Sequence, residues 1–260
     1  MQEQTDRGRF VWYELMTPDP QAARAFYRDV AGWGVQEYEG LDTPYAMWTL
    51  GETPVGGLMQ LDAQMAAHGV PPNWLAYIAT EDVDASAAEA ERLGAKVQLP
   101  PMTVPGIGRM AVLTDPHGAS FALYQSETPL GEEPSPETPG VFSWHELSTT
   151  DHGAAFDFYA KLFGWEKTEA VDMGPIGTYQ MYGRTGRPIG GMYDGSRAGA
   201  TPPSWLFYLT VADMDEALER VRRGGGRVTR GPDPVPGGSL IAHCIDPQGA
   251  AFALTANPKA

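Results

Sequence analysis

The sequence predicts an α+β fold of four β-α-β-β-β modules, two in each half of a 260-residue chain. Three observations carry this expectation. The chain repeats itself: residues 10–33, FVWYELMTPDPQAARAFYRDVAGW, align with 142–165, FSWHELSTTDHGAAFDFYAKLFGW, at a constant offset of 132. The repeat extends at an offset of 131 through Trp74, Tyr77 and Asp82 (Trp205, Tyr208 and Asp213) and through DPHGASFAL at 115–123 (DPQGAAFAL at 246–254). Within each half, period-2 alternation gives way to a helical stripe and returns, twice over.

The elements follow in order. VWYEL and SWHEL alternate as strands and stop before Asp19 and Asp151, which can cap helices. Pro20 suits a first helical position, Phe26 and Val30 share one face of a helix over 20–31, and Gly32 ends it. A helix over 152–163 repeats this with Phe156, Tyr159 and Phe163. Strands are expected at 45–50 and 55–60, and at 179–183 and 189–193. A second module begins with WLAYIAT (74–80) or WLFYLTV (205–211), followed by helices starting near Asp82 and Asp213; Met214, Leu218 and Val221 stripe the latter. A strand, an Asp-Pro-x-Gly turn and a final strand close each half. The repeat implies domains at 8–126 and 140–256, joined by an extended, solvated linker at 127–139 rich in proline and glutamate.

Composition narrows the partners. Thirty-three acidic against 18 basic residues give a net charge of −15, which disfavours nucleic acid and anionic membranes. Hydrophobic residues at 42% argue against wholesale disorder, and 31 glycines with 23 prolines argue against a helical bundle. One cysteine, Cys244, excludes an internal disulfide framework and reads as a small buried apolar residue. With no signal-like or membrane-spanning apolar run, the expectation is a cytoplasmic protein, monomer or homodimer, with a small-molecule ligand.

The T-x-D-x-x-A-x-x-FY-x-x-x-x-GW signature, the D-V-D-A helix start and the D-P-x-G-x-x-F-x-L ending resemble the vicinal oxygen chelate superfamily, which includes glyoxalase I, extradiol dioxygenases and bleomycin-resistance proteins. The tandem layout is similar to its two-domain, glyoxalase-like branch. The resemblance implies curved mixed sheets around concave cavities. It also implies metal-ligand positions that fall here on Trp12 and Trp144, on Leu75 and Leu206 (or Trp74 and Trp205, one residue earlier), and on Ala122 and Ala253. None carries a donor for a divalent cation, so neither a metal nor another cofactor is expected.

Glu14 and Glu146 alternate in phase with Trp12 and Trp144, which the resemblance places on the ligand-facing side. A carboxyl desolvated beside indole could transfer protons; a structural role, with Arg109 as the partner of Glu14, is the competing reading. Trp12 and Tyr124 could form a flat slot for a planar ligand. His243 could face a cavity, while His145 should point beneath the covering helix, which weakens a His145–His243–Glu146 iron triad. His68, His117 and His152 read as solvated. Gly56-Gly57 and Gly190-Gly191 interrupt strands and could mark a close approach or a bulge. Gly224-Gly225-Gly226 ends a helix, so it is no phosphate loop. The expected function is metal-independent binding of a planar or hydrophobic metabolite or antibiotic. Alternatives are a metal-free acid–base lyase or cyclase, a metal-dependent lyase or dioxygenase with displaced ligands, and an acidic interaction scaffold with vestigial cavities.

Overall fold

The computed structural model describes residues 6–40, 43–67, 69–195 and 202–257. The first module runs β1 (Phe10–Thr17), α1 (Pro20–Ala31), β2 (Gly34–Tyr38), β3 (Tyr45–Leu50) and β4 (Thr53–Gln60); a short α2 (Ala63–Ala67) follows. The second comprises β5 (Asn73–Ala79), α3 (Val83–Arg92), β6 (Lys96–Val104), β7 (Gly108–Thr114) and β8 (Ser120–Ser126). The third comprises β9 (Phe142–Thr149), α4 (His152–Phe163), β10 (Glu166–Asp172), a 3₁₀ turn (Gly174–Ile176), β11 (Thr178–Arg184) and β12 (Arg187–Asp194). The fourth comprises β13 (Ser204–Thr210), α5 (Met214–Arg223), β14 (Arg227–Pro234), β15 (Leu240–Ile245) and β16 (Ala251–Ala256).

Two eight-stranded mixed sheets result, ordered β2-β3-β4-β1-β5-β8-β7-β6 and β10-β11-β12-β9-β13-β16-β15-β14. Hairpins are antiparallel, while β1–β4, β5–β8, β9–β12 and β13–β16 pair in parallel, since a helix intervenes after the first strand of each module. Asp19, Asp82, Asp151 and Asp213 cap the four long helices, each accepting from the backbone N–H three residues on.

Packing does not follow the repeat. One compact unit comprises Met1–Val11, Ala76–Glu133 and His145–Trp205, which brings the second and third modules together; the other comprises Trp12–Leu75, Pro134–Trp144 and Leu206–Ala260, the first and fourth. In the former, Val83, Ala87 and Ala90 of α3 and Phe156, Tyr159 and Phe163 of α4 share a core with Ile78, Leu113, Phe121 and Leu147. In the latter, the buried side chains of α1 and α5 belong to a core that includes Trp33, Trp48, Trp74 and Phe252, with Phe26 edge-on to Phe252 at 5.9 Å.

One buried device recurs in both units. Asp115 Oδ1 accepts from the backbone N–H groups of His117, Gly118 and Ala119, while Oδ2 accepts from the Tyr159 hydroxyl at 2.9 Å, itself bonded by Trp205 Nε1. Asp246, Tyr27 and Trp74 repeat it. Burial and the neighbouring carboxylate push both tyrosine hydroxyls well above the ordinary range, so they remain donors. The D-P-x-G and FY motifs are therefore two ends of one structural lock.

Several expectations change. The linker has neither helix nor strand, yet it is held rather than merely solvated. Arg9 donates to the carbonyls of Gly131 and Glu132, and Glu133 accepts from Arg184 and Arg187. His152 is not free in solvent: its Nδ1 lies 2.9 Å from Asp194 Oδ1. His117 Nδ1 meets Thr150 Oγ1 at 2.7 Å. Trp48 and Trp74 are core residues. Cys244 is buried, as expected, and His68 lies outside the described residues.

Candidate functional site

Strand alternation sorts the β1 and β9 side chains. Leu15 is fully buried, and Leu147 packs with the α4 residues. Glu14 and Glu146 therefore point to the opposite face, away from the helices. Each is 7–8% exposed, which makes its partners decisive.

One partner comes from two strands away. Glu14 pairs in register with Gly57 on β4, and Met47 on β3 lies beyond it. A Cβ at Gly57 would collide with the Tyr45 hydroxyl, so glycine there lets the ring lie across β4. Tyr45 then donates to Glu14 Oε2 at 3.0 Å and accepts from Trp12 Nε1 at 3.0 Å. The second half copies the frame. Glu146 pairs with Gly191, a Cβ at Gly191 would strike the Tyr179 ring, and the Tyr179 hydroxyl donates to Glu146 Oε2 at 3.1 Å. Burial and the Glu14 charge raise the Tyr45 hydroxyl well above the usual tyrosine range, so it stays a donor. The result is a buried carboxylate, fixed by a phenol, with an indole beside it in the first half.

The paired glycines thus mark a close approach. Gly56 and Gly190 face the backbone carbonyls of Tyr13 and His145, where no side chain fits. Sequence reasoning missed Tyr45 and Tyr179. A signal was present: both Tyr45/Tyr179 and Gly57/Gly191 are 134 apart.

Arg109 is not the donor expected for Glu14. Its Nε and Nη2 grip Asp84, Nη2 at 2.7 Å from Oδ1, and its Nη1 donates to Thr103 Oγ1. Tyr124, on the face of β8 opposite the core residues Phe121 and Leu123, donates its hydroxyl to the Ile107 carbonyl at 2.8 Å. His243 Nε2 shares a 2.9 Å hydrogen bond with the Tyr208 hydroxyl, and burial lowers its pKa to about 4. His145 stacks on Phe10 at 3.7 Å and donates Nδ1–H to the Ile189 carbonyl, with its pKa lowered to about 3 by burial. It lies on the face opposite Glu146, so the iron triad is not assembled.

Side-chain direction bears on the residues at the positions that the family resemblance assigns to metal ligands. Trp74 and Trp205 turn their indoles toward Tyr27 and Tyr159 on the helix side, which leaves Leu75 and Leu206 at the second position. With Trp12, Trp144, Ala122 and Ala253 at the others, the set offers no lone-pair donor and does not fit a divalent cation. Among the described residues no three His, Cys, Asp or Glu side chains gather as a metal-ion group.

Comparison with known proteins agrees with this architecture. The anthracycline biosynthesis protein DnrV of Streptomyces peucetius is 32% identical over 271 residues, spanning 95% of this chain and 92% of that protein. The Mn(II)-bound glyoxalase from Novosphingobium aromaticivorans shares the fold at a TM-score of 0.65 and 20% identity, covering 98% of this chain and 83% of that one. The 2,3-dioxygenase LapB from Pseudomonas sp. KL28 does so at 0.68 and 13%, covering 98% and 94%. The family model of the Glyoxalase/Bleomycin resistance protein/Dioxygenase superfamily matches twice, at residues 9–123 and 142–254, and the chain belongs to that superfamily.

Proposed function

We propose that this chain is a metal-independent small-molecule-binding protein that holds a planar, largely apolar ligand against the faces carrying Trp12, Glu14 and Tyr45 and, in the second half, Glu146 and Tyr179. The observation that carries this reading is the buried carboxylate fixed by a tyrosine laid over glycine, built twice on the face away from the helices. A core needs no such group, because burying a carboxylate is costly. A ligand donor could be drawn to that carboxylate while the ring stacks on indole or phenol. The similarity to an anthracycline biosynthesis protein supports a planar aromatic ligand. The residues at the family's ligand positions support metal independence. A cytoplasmic location fits the reading; no helix among the described residues is long and apolar enough to cross a membrane.

The Trp12–Tyr45–Glu14 chain favours one second reading, a metal-free lyase or cyclase with Glu14 as the proton acceptor. Both readings meet one test. The intact protein, treated with chelator, is exposed to a library of planar aromatics, and native mass spectrometry records which are retained. The E14Q/E146Q double variant should fold, keep its melting temperature within a few degrees and lose at least about tenfold in retention. Unchanged retention in that variant, or retention abolished by the chelator, overturns the proposal. Turnover of a retained compound selects the enzyme reading.

A further inference from the structure

Each compact unit is built alike around the end of one helix, and a single difference there points to a ligand. In the unit of the second and third modules, Gly8 donates its backbone N–H to the Ala79 carbonyl and Ala79 donates to Arg9. Trp165 Nε1 donates to the Gly8 carbonyl. In the other unit Gly140, Thr210, Val141 and Trp33 repeat all three bonds. Gly8 and Gly140 also share a positive φ, +79° and +89°. Position 7 therefore corresponds to position 139, at the offset of 132 that relates the halves.

Arg7 and Pro139 stand at these two places. Arg7 lays its guanidinium on the last turn of α4: Nε donates to the Leu162 carbonyl at 3.0 Å, and Nη2 to those of Lys161 and Leu162 at 2.9 Å. The final carbonyls of a helix lack intrahelical donors and carry partial negative charge, which suits a planar, forked cation. At the end of α1 the corresponding carbonyls belong to Asp29 and Val30, and proline has no donor to offer them. A cleft of about 190 Å³ lies at this helix end, with Val30, Ala31, Pro139 and Val211 among its apolar walls. Asp213 and Glu216 set two carboxylates on it against one guanidinium, that of Arg220, which Glu216 holds at 2.7 Å. The wall is net negative, as is the helix end it adjoins.

We propose that this cleft, distinct from the sheet faces discussed above, is a binding site for a small alkylguanidinium compound. The ligand's planar group donates to the Asp29 and Val30 carbonyls as Arg7 does to Lys161 and Leu162, and its stem lies along Val30, Pro139 and Val211. Guanidinium is favoured over ammonium because two neighbouring carbonyls need a fork of donors in one plane.

The test titrates ethylguanidinium chloride into the intact protein at constant ionic strength and follows the backbone amide resonances. Those of Gly32, Gly140 and Ala212 should shift saturably, with a dissociation constant on the order of 1 mM, and ethylammonium should bind at least about tenfold more weakly. P139R should supply the group from within, as Arg7 does, and abolish the shifts without lowering the melting temperature. R7A should open the twin site and add a second saturable set at Gly8 and Gly164; if R7A does not fold, P139R decides. Non-saturating shifts, equal affinity for ethylammonium, or binding that persists in a folded P139R overturns the proposal. So does a folded R7A that gains no second site.

Discussion

His145 shows how one residue can be legible in direction and illegible in consequence. Its place under the helix layer follows from alternation with Glu146, but its neighbours Phe10 and Ile189 lie far away in sequence. They make it a neutral, buried imidazole with a pKa of about 3, and the Arg187 charge adds to the depression. In the unfolded chain the same group titrates near 6.5. Above that pH neither state binds the proton. Below it only the unfolded state does, so stability is lost as pH falls from about 6.5 toward 3. His243, at about 4, adds a second contribution over the upper part of this window. Each such histidine tilts the curve by about 1.4 kcal/mol per pH unit. Urea denaturation between pH 7 and 4.5 should therefore show a steep loss of stability, and H145Q should reduce the slope by about one proton's worth. A parallel slope in H145Q would refute the buried neutral imidazole. Glu14 teaches the complementary lesson: its face was readable, its partner was not. Arg109 was the nearest charge-based guess, yet a phenol two strands away serves, because sheet register decides which side chain crosses which glycine.

Elements were read more fully than sites. Four aspartate caps and two glycine stops fixed the long helices, because capping is local chemistry written within three or four residues. Short α2 and the outer strands β2 and β10 have weaker patterns, since an edge strand buries little of either face. The Asp-Pro-x-Gly turn was seen as a turn only. Its larger role, receiving a tyrosine from a helix of the other repeat, depends on packing that no local pattern encodes. That role predicts a large effect. D246A leaves three backbone N–H groups and the Tyr27 hydroxyl without their common acceptor, and should cost upward of about 3 kcal/mol. Y27F removes two bonds, one to Asp246 and one from Trp74, but leaves the backbone N–H groups capped, and should cost about 2 kcal/mol. Chemical denaturation of both variants checks the order; equal losses would show that the turn, not the lock, dominates.

At the scale of the molecule, the repeat and the packing partition the chain differently. Sheets follow the halves, whereas cores join the second module to the third and the first to the fourth. Neither sequence half owns a finished core. Residues 1–126 made alone should expose the apolar faces of α1 and α3 and aggregate or self-associate, as should 140–260. Mixing the two should restore a soluble particle of intact mass in light scattering, with native circular dichroism. A stable, monomeric 1–126 would contradict the crosswise packing. The linker takes on a further meaning in this light. A single half, before any duplication, could close its helix faces only against a second copy, so its folded fraction would rise and fall with expression level. Fusing two copies sets the local concentration of one half around the other in the millimolar range, whatever the cell contains. The two copies are then free to drift apart, since Arg7 and Pro139 no longer have to be encoded by the same codon. Covalent connection turned an obligation to be identical into permission to differ.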